Sequence, residues 1–165
     1  MVEVILGDIT KLDFHVDAIV NAANAHLVPG GGVDGAINQA AGPELGKAMR
    51  AFGGTPTGTA VITPAYNLNA EYVIHAVGPR YKDGKHGEEK QLYSAYEAVF
   101  ALAHKQGIQS LATPIISAGV YHYPKAEAAR ILYEVATREE NEDIQVKIVV
   151  FSEGWLSIFD KIQSH

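Results

Sequence analysis

The chain has 165 residues, with 13 Lys and Arg against 19 Asp and Glu and a formal net charge of -6. Hydrophobic residues at 47% and charged residues at 19% support one packed domain and exclude wholesale disorder. The acidic balance argues against a general nucleic-acid or anionic-membrane binder, and the absence of cysteine excludes disulfides, thiolate nucleophiles and Cys-ligated zinc or iron–sulfur centres.

Val2 to Leu6 is β-rich and runs into Gly7-Asp8. It has no basic flank and no long apolar core, so it predicts a strand and not a secretory leader. No apolar run approaches the roughly 18 residues that span a bilayer, and a cytoplasmic monomer is the expectation. Val16 to Val20 suits a strand buried on both faces. Asn21-Ala22-Ala23-Asn24 and Gly30 to Gly32 then form a loop. Helical patterning resumes near Val33, carries Ile37, Ala40 and Ala41, and stops at Gly42-Pro43. A second helix is expected from about Pro43 to Phe52, closed by Gly53-Gly54.

Thr59 to Thr63 and Tyr72 to Val77 read as two more strands, and Gly84 to Gly87 as a polar turn. Glu89 to Lys105 places Leu92, Tyr96, Val99 and Ala103 on one helical face, with Gly107 suited to the C′ position. Ser110 to Ile116 is a strand, Ser117 to Tyr123 a loop, and a helix begins at Pro124 or Lys125. Gln145 to Phe151 is the last strand and Trp155 to Ile162 a closing helix. Strands alternating with helices predict an α/β fold whose sheet is covered on both faces. Ligands of such sheets sit beyond the carboxyl ends of the strands.

Two loops there carry the chemistry. One is Asn24 with Gly30-Gly31-Gly32-Val33-Asp34-Gly35, and the other is Ser117-Ala118-Gly119-Val120-Tyr121. Small residues let successive backbone N–H groups close around phosphate oxygens, and a following helix adds partial positive charge. An acidic chain can bind an anion this way without a basic patch. Gly30, Gly32 and Gly35 satisfy G-x-G-x-x-G, yet no acidic residue follows about 20 positions on, as a dinucleotide fold requires. A dinucleotide oxidoreductase is therefore disfavoured.

Asp34 is the carboxylate placed to meet a ligand, unless it only caps helical N–H groups. Asn24 is a second candidate, with a plain turn role as its alternative. Asp8 is a turn former or an acceptor for an amine. The seven histidines make no metal-ligand spacing, so no metal or cofactor is expected. His75 reads as a satisfied core histidine, and His122 inside the second loop is the one to keep. Ser117 lies outside any nucleophile elbow, because Ile115 stands where the first glycine would. Arg80, after Gly78-Pro79, is the one candidate cation for a ligand contact, with a solvated loop charge as its plainer reading.

Gly7-Asp8-Ile9-Thr10, Val20-Asn21-Ala22-Ala23-Asn24, Gly30 to Ile37, His75-Ala76-Val77-Gly78-Pro79 and Ile116 to Tyr121 together resemble the macrodomain family. The order and spacing agree over nearly the whole chain. The run into Val33-Asp34-Gly35 is similar to the MacroD group. The resemblance implies a single three-layer α/β/α macrodomain over residues 1–165, with a mixed central sheet and an ADP-ribose site. It implies that Asp8 and the Ile9 amide face adenine and that Phe151 packs on it. Gly32, Val33, Ser117, Ala118, Gly119, Val120 and Tyr121 would hold the diphosphate. Asn24 and Asp34 would be the catalytic pair at the distal ribose, with Tyr121 and His122 beside it.

Hydrolytic members release ADP-ribose from modified acidic side chains or deacetylate O-acetyl-ADP-ribose. The implied partners are thus ADP-ribose, ADP-ribosylated proteins or O-acetyl-ADP-ribose. Three positions depart from the group's pattern. Asn38 stands where histidine is common, Ala118 replaces a threonine, and His122 replaces a glycine. The loss of a hydroxyl at Ala118 is harmless, whereas Asn38 and His122 favour the competing expectation of a non-catalytic ADP-ribose reader.

Overall fold

The computed structural model describes residues 1–164. His165, the last of the seven histidines, lies outside the described residues. Six short segments rich in β-branched and small apolar residues form the strands: β1 Val2–Leu6, β2 Val16–Ala22, β3 Ala60–Pro64, β4 Ala70–Ala76, β5 Ser110–Thr113 and β6 Gln145–Val150. They pair into one sheet in the order β1-β6-β5-β2-β4-β3. All neighbours run parallel except β3, which is antiparallel to β4, so the sheet is mixed.

Five helices cover it. α1 Gly32–Ala41 and α2 Pro43–Arg50 bury Ile37, Leu45 and Met49 with Ile19 and Val73 on one face. α3 Glu88–Gln106, α4 Lys125–Ala136 and α5 Glu153–Gln163 bury Leu92, Tyr96, Leu132 and Phe159 with Val20 and Ile148 on the other. The result is the expected α/β/α sandwich. The central strands lie between two helical layers, which is why their sequences are continuous apolar runs and do not alternate.

Several boundaries differ from the sequence expectation. β2 continues through Asn21 and Ala22, because Asn21 finds polar partners inside the core. β5 stops at Thr113, not Ile116, since Pro114 has no N–H to give a neighbouring strand. α2 ends at Arg50 and α5 starts at Glu153, two residues early in each case. A short 3-10 turn, Glu139–Asn141, precedes β6 and had no sequence signal. Among the described residues no helix is long and apolar enough to cross a membrane.

Candidate functional site

Because β1, β6, β5, β2 and β4 are mutually parallel, their carboxyl ends share one edge of the sheet. The segments leaving those ends enclose a cleft of about 920 Å³. Of the residues singled out in the sequence, Asp8, Ile9, Asn24, Gly32, Val33, Asp34, Ser117 to Tyr121 and Phe151 all line it. His122 does not. Its backbone is left-handed, with φ 61°, and its amide donates to Gly119 O, so the ring lies on the exposed side of the loop. Such a backbone is one that glycine adopts without steric cost.

The two loops present unpaired donors. α1 has no side-chain cap at its N-terminus, which leaves the amides of Gly32 and Val33 open to the cleft. Among the described residues, the amides of Ser117 to Tyr121 donate to no protein group, while those of Ile116, His122 and Tyr123 do. Ser117 is itself left-handed, φ 69°, and its buried Oγ has no partner. This loop can come so close to the β4 end because residue 78 is glycine. A Cβ there would collide with Ser117 and Ile116. The helix terminus and the loop form a concave row of amides suited to a diphosphate.

Asp34 sits at the mouth of this row, in the first turn of α1 and 4% exposed. Its Oδ1 accepts from Asn21 Nδ2 at 2.7 Å and from Asn38 Nδ2 at 3.0 Å, and its Oδ2 from the Gly30 amide at 2.9 Å. The N-cap is Gly31, so Asp34 reaches back past the cap and does not act as one. Burial pushes its carboxyl above the usual carboxylate range, outweighing the three donors that pull it down. The group is therefore both anchored and basic for an aspartate. A Cβ at residue 30 would meet Asn24 Nδ2 at 3.3 Å and Asp34 Oδ2 at 3.4 Å, so Gly30 lets the amide and the carboxylate close in on one point.

Behind Asp34 lies a buried polar line that sequence reasoning missed. Asn21 on β2 stands in register opposite His75 on β4, and Asn21 Nδ2 also lies 3.1 Å from His75 Nδ1. With Asn21 donating both amide hydrogens, Nδ1 is the acceptor and His75 carries its proton on Nε2. That nitrogen lies 2.9 Å from Thr63 Oγ1, which in turn donates to Pro64 O. Burial pushes His75 down to about 4, so the ring is neutral at ordinary pH. His75 is thus the satisfied core histidine expected, and it also orients the amide that holds Asp34. A polar Asn inside an apolar strand was the available signal.

The remaining residues have simpler settings. Asn24 donates to Val28 O at 2.8 Å, which braces its loop and leaves it one amide hydrogen and a lightly used oxygen. Asp8 Oδ1 accepts from the Thr10 hydroxyl at 2.7 Å and the Thr10 amide at 2.9 Å. These bonds hold its carboxyl below the usual range and leave the other oxygen free to accept. Phe151 and Val120 are 78% and 76% exposed, apolar surfaces at the cleft rim awaiting a planar or sugar face. Two cations line the cleft: Lys125, whose ammonium lies 5.5 Å from the Trp155 ring, and Arg80, 5.2 Å from the Tyr121 ring. Lys125 and Trp155 were not anticipated.

One trio outside the cleft, Asp83, His86 and Glu88, has metal-like proximity. Glu88, however, spends its oxygens on the amides of Lys82, Asp83, Gly84 and His86, which holds it down at about 2. His86 is bonded to Asp83 at 2.8 Å. The trio ties a turn.

Comparison with known proteins agrees with this architecture. The Macro domain family model matches residues 20–132. The chain belongs to the Macro domain family. An O-acetyl-ADP-ribose deacetylase of Escherichia fergusonii is 54% identical, covering 79% of this macrodomain and 75% of that protein. The Oceanobacillus iheyensis macrodomain with ADP superposes at a TM-score of 0.90 with 39% identity, over 99% of this chain and 90% of that one. The Trypanosoma brucei macrodomain in complex with ADP-ribose does so at 0.86 with 34% identity, over 98% of this chain and 68% of that one.

Proposed function

We propose that this macrodomain binds ADP-ribose in the 920 Å³ cleft and hydrolyses acyl esters of its distal ribose. The substrates are mono-ADP-ribosylated acidic side chains, O-acetyl-ADP-ribose, or both. The observation that carries the reading is Asp34, a buried, raised and triply anchored carboxylate beside a row of free backbone amides. The amides of Gly32, Val33 and Ser117 to Tyr121 bind the diphosphate, Asp8 and the Ile9 amide take the adenine edge, and Phe151 covers its face.

In the hydrolytic step Asp34 takes a proton from water as the water oxygen bonds to the acyl carbon. The bond from acyl carbon to ribose oxygen then breaks, and that oxygen recovers a proton. The products are a carboxylic acid and ADP-ribose. Asn24 orients a ribose hydroxyl with its remaining donor and acceptor capacity. The adjacent phosphates raise Asp34 further once bound, which favours a working base near neutrality.

The test is direct. Wild type releases acetate from O-acetyl-ADP-ribose or ADP-ribose from a modified glutamate. Asp34→Ala loses about 10²–10⁴-fold in kcat while calorimetry finds ADP-ribose still bound. The second reading, a non-catalytic ADP-ribose reader, is favoured by Asn38, which donates to Asp34 and cannot change charge where similar hydrolases carry histidine. Tight ADP-ribose binding with no turnover of either ester selects it.

A further inference from the structure

A second, polar groove of about 340 Å³ adjoins the main cleft. Asn24, Gly78, Arg80 and Tyr121 line both, so the groove opens beside Asn24, and His26, Thr57 and Gln91 are among its other walls. With Asn24 read as facing the distal ribose, this groove is the adjoining space for a group attached to that ribose. The groove is smaller and more polar than the main cleft, unlike the mostly apolar pockets that small ligands favour.

The charge around it is unusual for this chain. Arg80 and Gln91 bound a segment that also carries Lys82, Lys85 and Lys90, so 4 of the 13 Lys and Arg fall in residues 80–90. All four are exposed, and none makes an ion pair among the described residues. The acids of the same segment are largely spent. Glu88 is buried on four amides and Asp83 is bonded to His86, leaving Glu89 alone exposed without a partner. A chain of net charge -6 thus keeps a segment of cations without ion pairs whose two ends, Arg80 and Gln91, line this groove.

We infer that this groove and the 80–90 strip bind the protein side of the substrate, an acidic peptide segment carrying the ADP-ribosyl ester. The inference rests on the reading of the main cleft as the ADP-ribose site. Charge complementarity of exposed groups acts mainly through encounter and salt-sensitive affinity, so the strip selects among modified proteins and adds little for small esters. O-acetyl-ADP-ribose, whose acyl group is two carbons, does not reach it.

The experiment compares ligands that share one ADP-ribose half. Binding to Asp34→Ala, which preserves the ester, is measured for free ADP-ribose and for two mono-ADP-ribosylated glutamate peptides with acidic or neutral flanks. The acidic peptide binds more tightly than the neutral one. Lys82→Glu/Lys85→Glu/Lys90→Glu and Arg80→Gln each lower its affinity by about fivefold. The triple variant leaves free ADP-ribose unchanged, and raising salt removes the difference between peptides. If Asp34→Ala does not fold, the same ratios are read from kcat/KM in the wild-type background, with O-acetyl-ADP-ribose as the small ester. Equal binding of both peptides, or equal losses on the peptide and on free ADP-ribose, overturns the inference. Failure of free ADP-ribose to bind wild type overturns the cleft assignment instead, and is visible without any variant.

Discussion

At the scale of single residues, Asp34 and His75 are both buried titratable groups, and burial moves them in opposite directions. Asp34 is raised, and the Asn21 amide is the first of the contacts that oppose the rise. In Asn21→Leu that donor is gone, so the carboxyl rises further and its basic form is reached only at higher pH. The acid limb of the kcat profile on O-acetyl-ADP-ribose therefore moves to higher pH than in wild type, and carboxyl titration by NMR moves with it. His75 falls from its ordinary value of 6.5 to about 4. The unfolded chain accordingly binds more protons than the folded one between those values, and the stability present above 6.5 is lost as pH drops toward 4. The loss amounts to about 3 kcal/mol. Denaturant unfolding of His75→Leu should therefore depend less steeply on pH across that window than wild type does, by about that amount.

At the scale of elements, the position of α1 decides the site. Its first turn carries Asp34 and the open amides of Gly32 and Val33, and it packs so closely on the preceding loop that a Cβ at residue 35 would stand 2.5 Å from Gly30 O. Gly35→Ala pushes helix and loop apart, so chemical denaturation registers a cost of about 1–3 kcal/mol. Calorimetry registers weaker ADP-ribose binding, since donors on both pieces shift. This dependence was only half visible in the sequence. The strands, the two glycine loops and the carboxylate were legible, because apolar runs and punctuating glycines act locally. Asn21, Thr63 and Lys125 were not, because β2, β3, β4, α1 and α4 each contribute one piece, and strand register together with helix packing brings the pieces together. His122 was only partly legible for a similar reason. Its place in the loop was clear, but the turn that sends it outward depends on a backbone bond from its own amide.

At the scale of the molecule, an acidic chain is proposed to hold an anionic ligand, and its salt response reports how. Backbone amides carry no net charge, so most of the diphosphate affinity is insensitive to ionic strength. Lys125 is the cation at the α4 end of the cleft, held beside Trp155. ADP-ribose affinity should fall only modestly between low and physiological salt, and in Lys125→Gln the residual slope should be smaller still by calorimetry at several ionic strengths. A steep fall that survives both Lys125→Gln and Arg80→Gln would contradict an amide-based site.

The facing pair Asn21 and His75 has a consequence for how such a chain can change over generations. Thr63, His75, Asn21 and Asp34 are hydrogen-bonded in series from the edge of the sheet to the cleft. Replacing any one alone strands a buried polar neighbour, at a cost of about 1–3 kcal/mol. That is a large share of the margin by which small domains stay folded. Mutational paths through these positions are consequently narrow, and departures from the set should arrive as coordinated replacements on several strands at once. The exposed loops around them, His122 included, can drift one residue at a time.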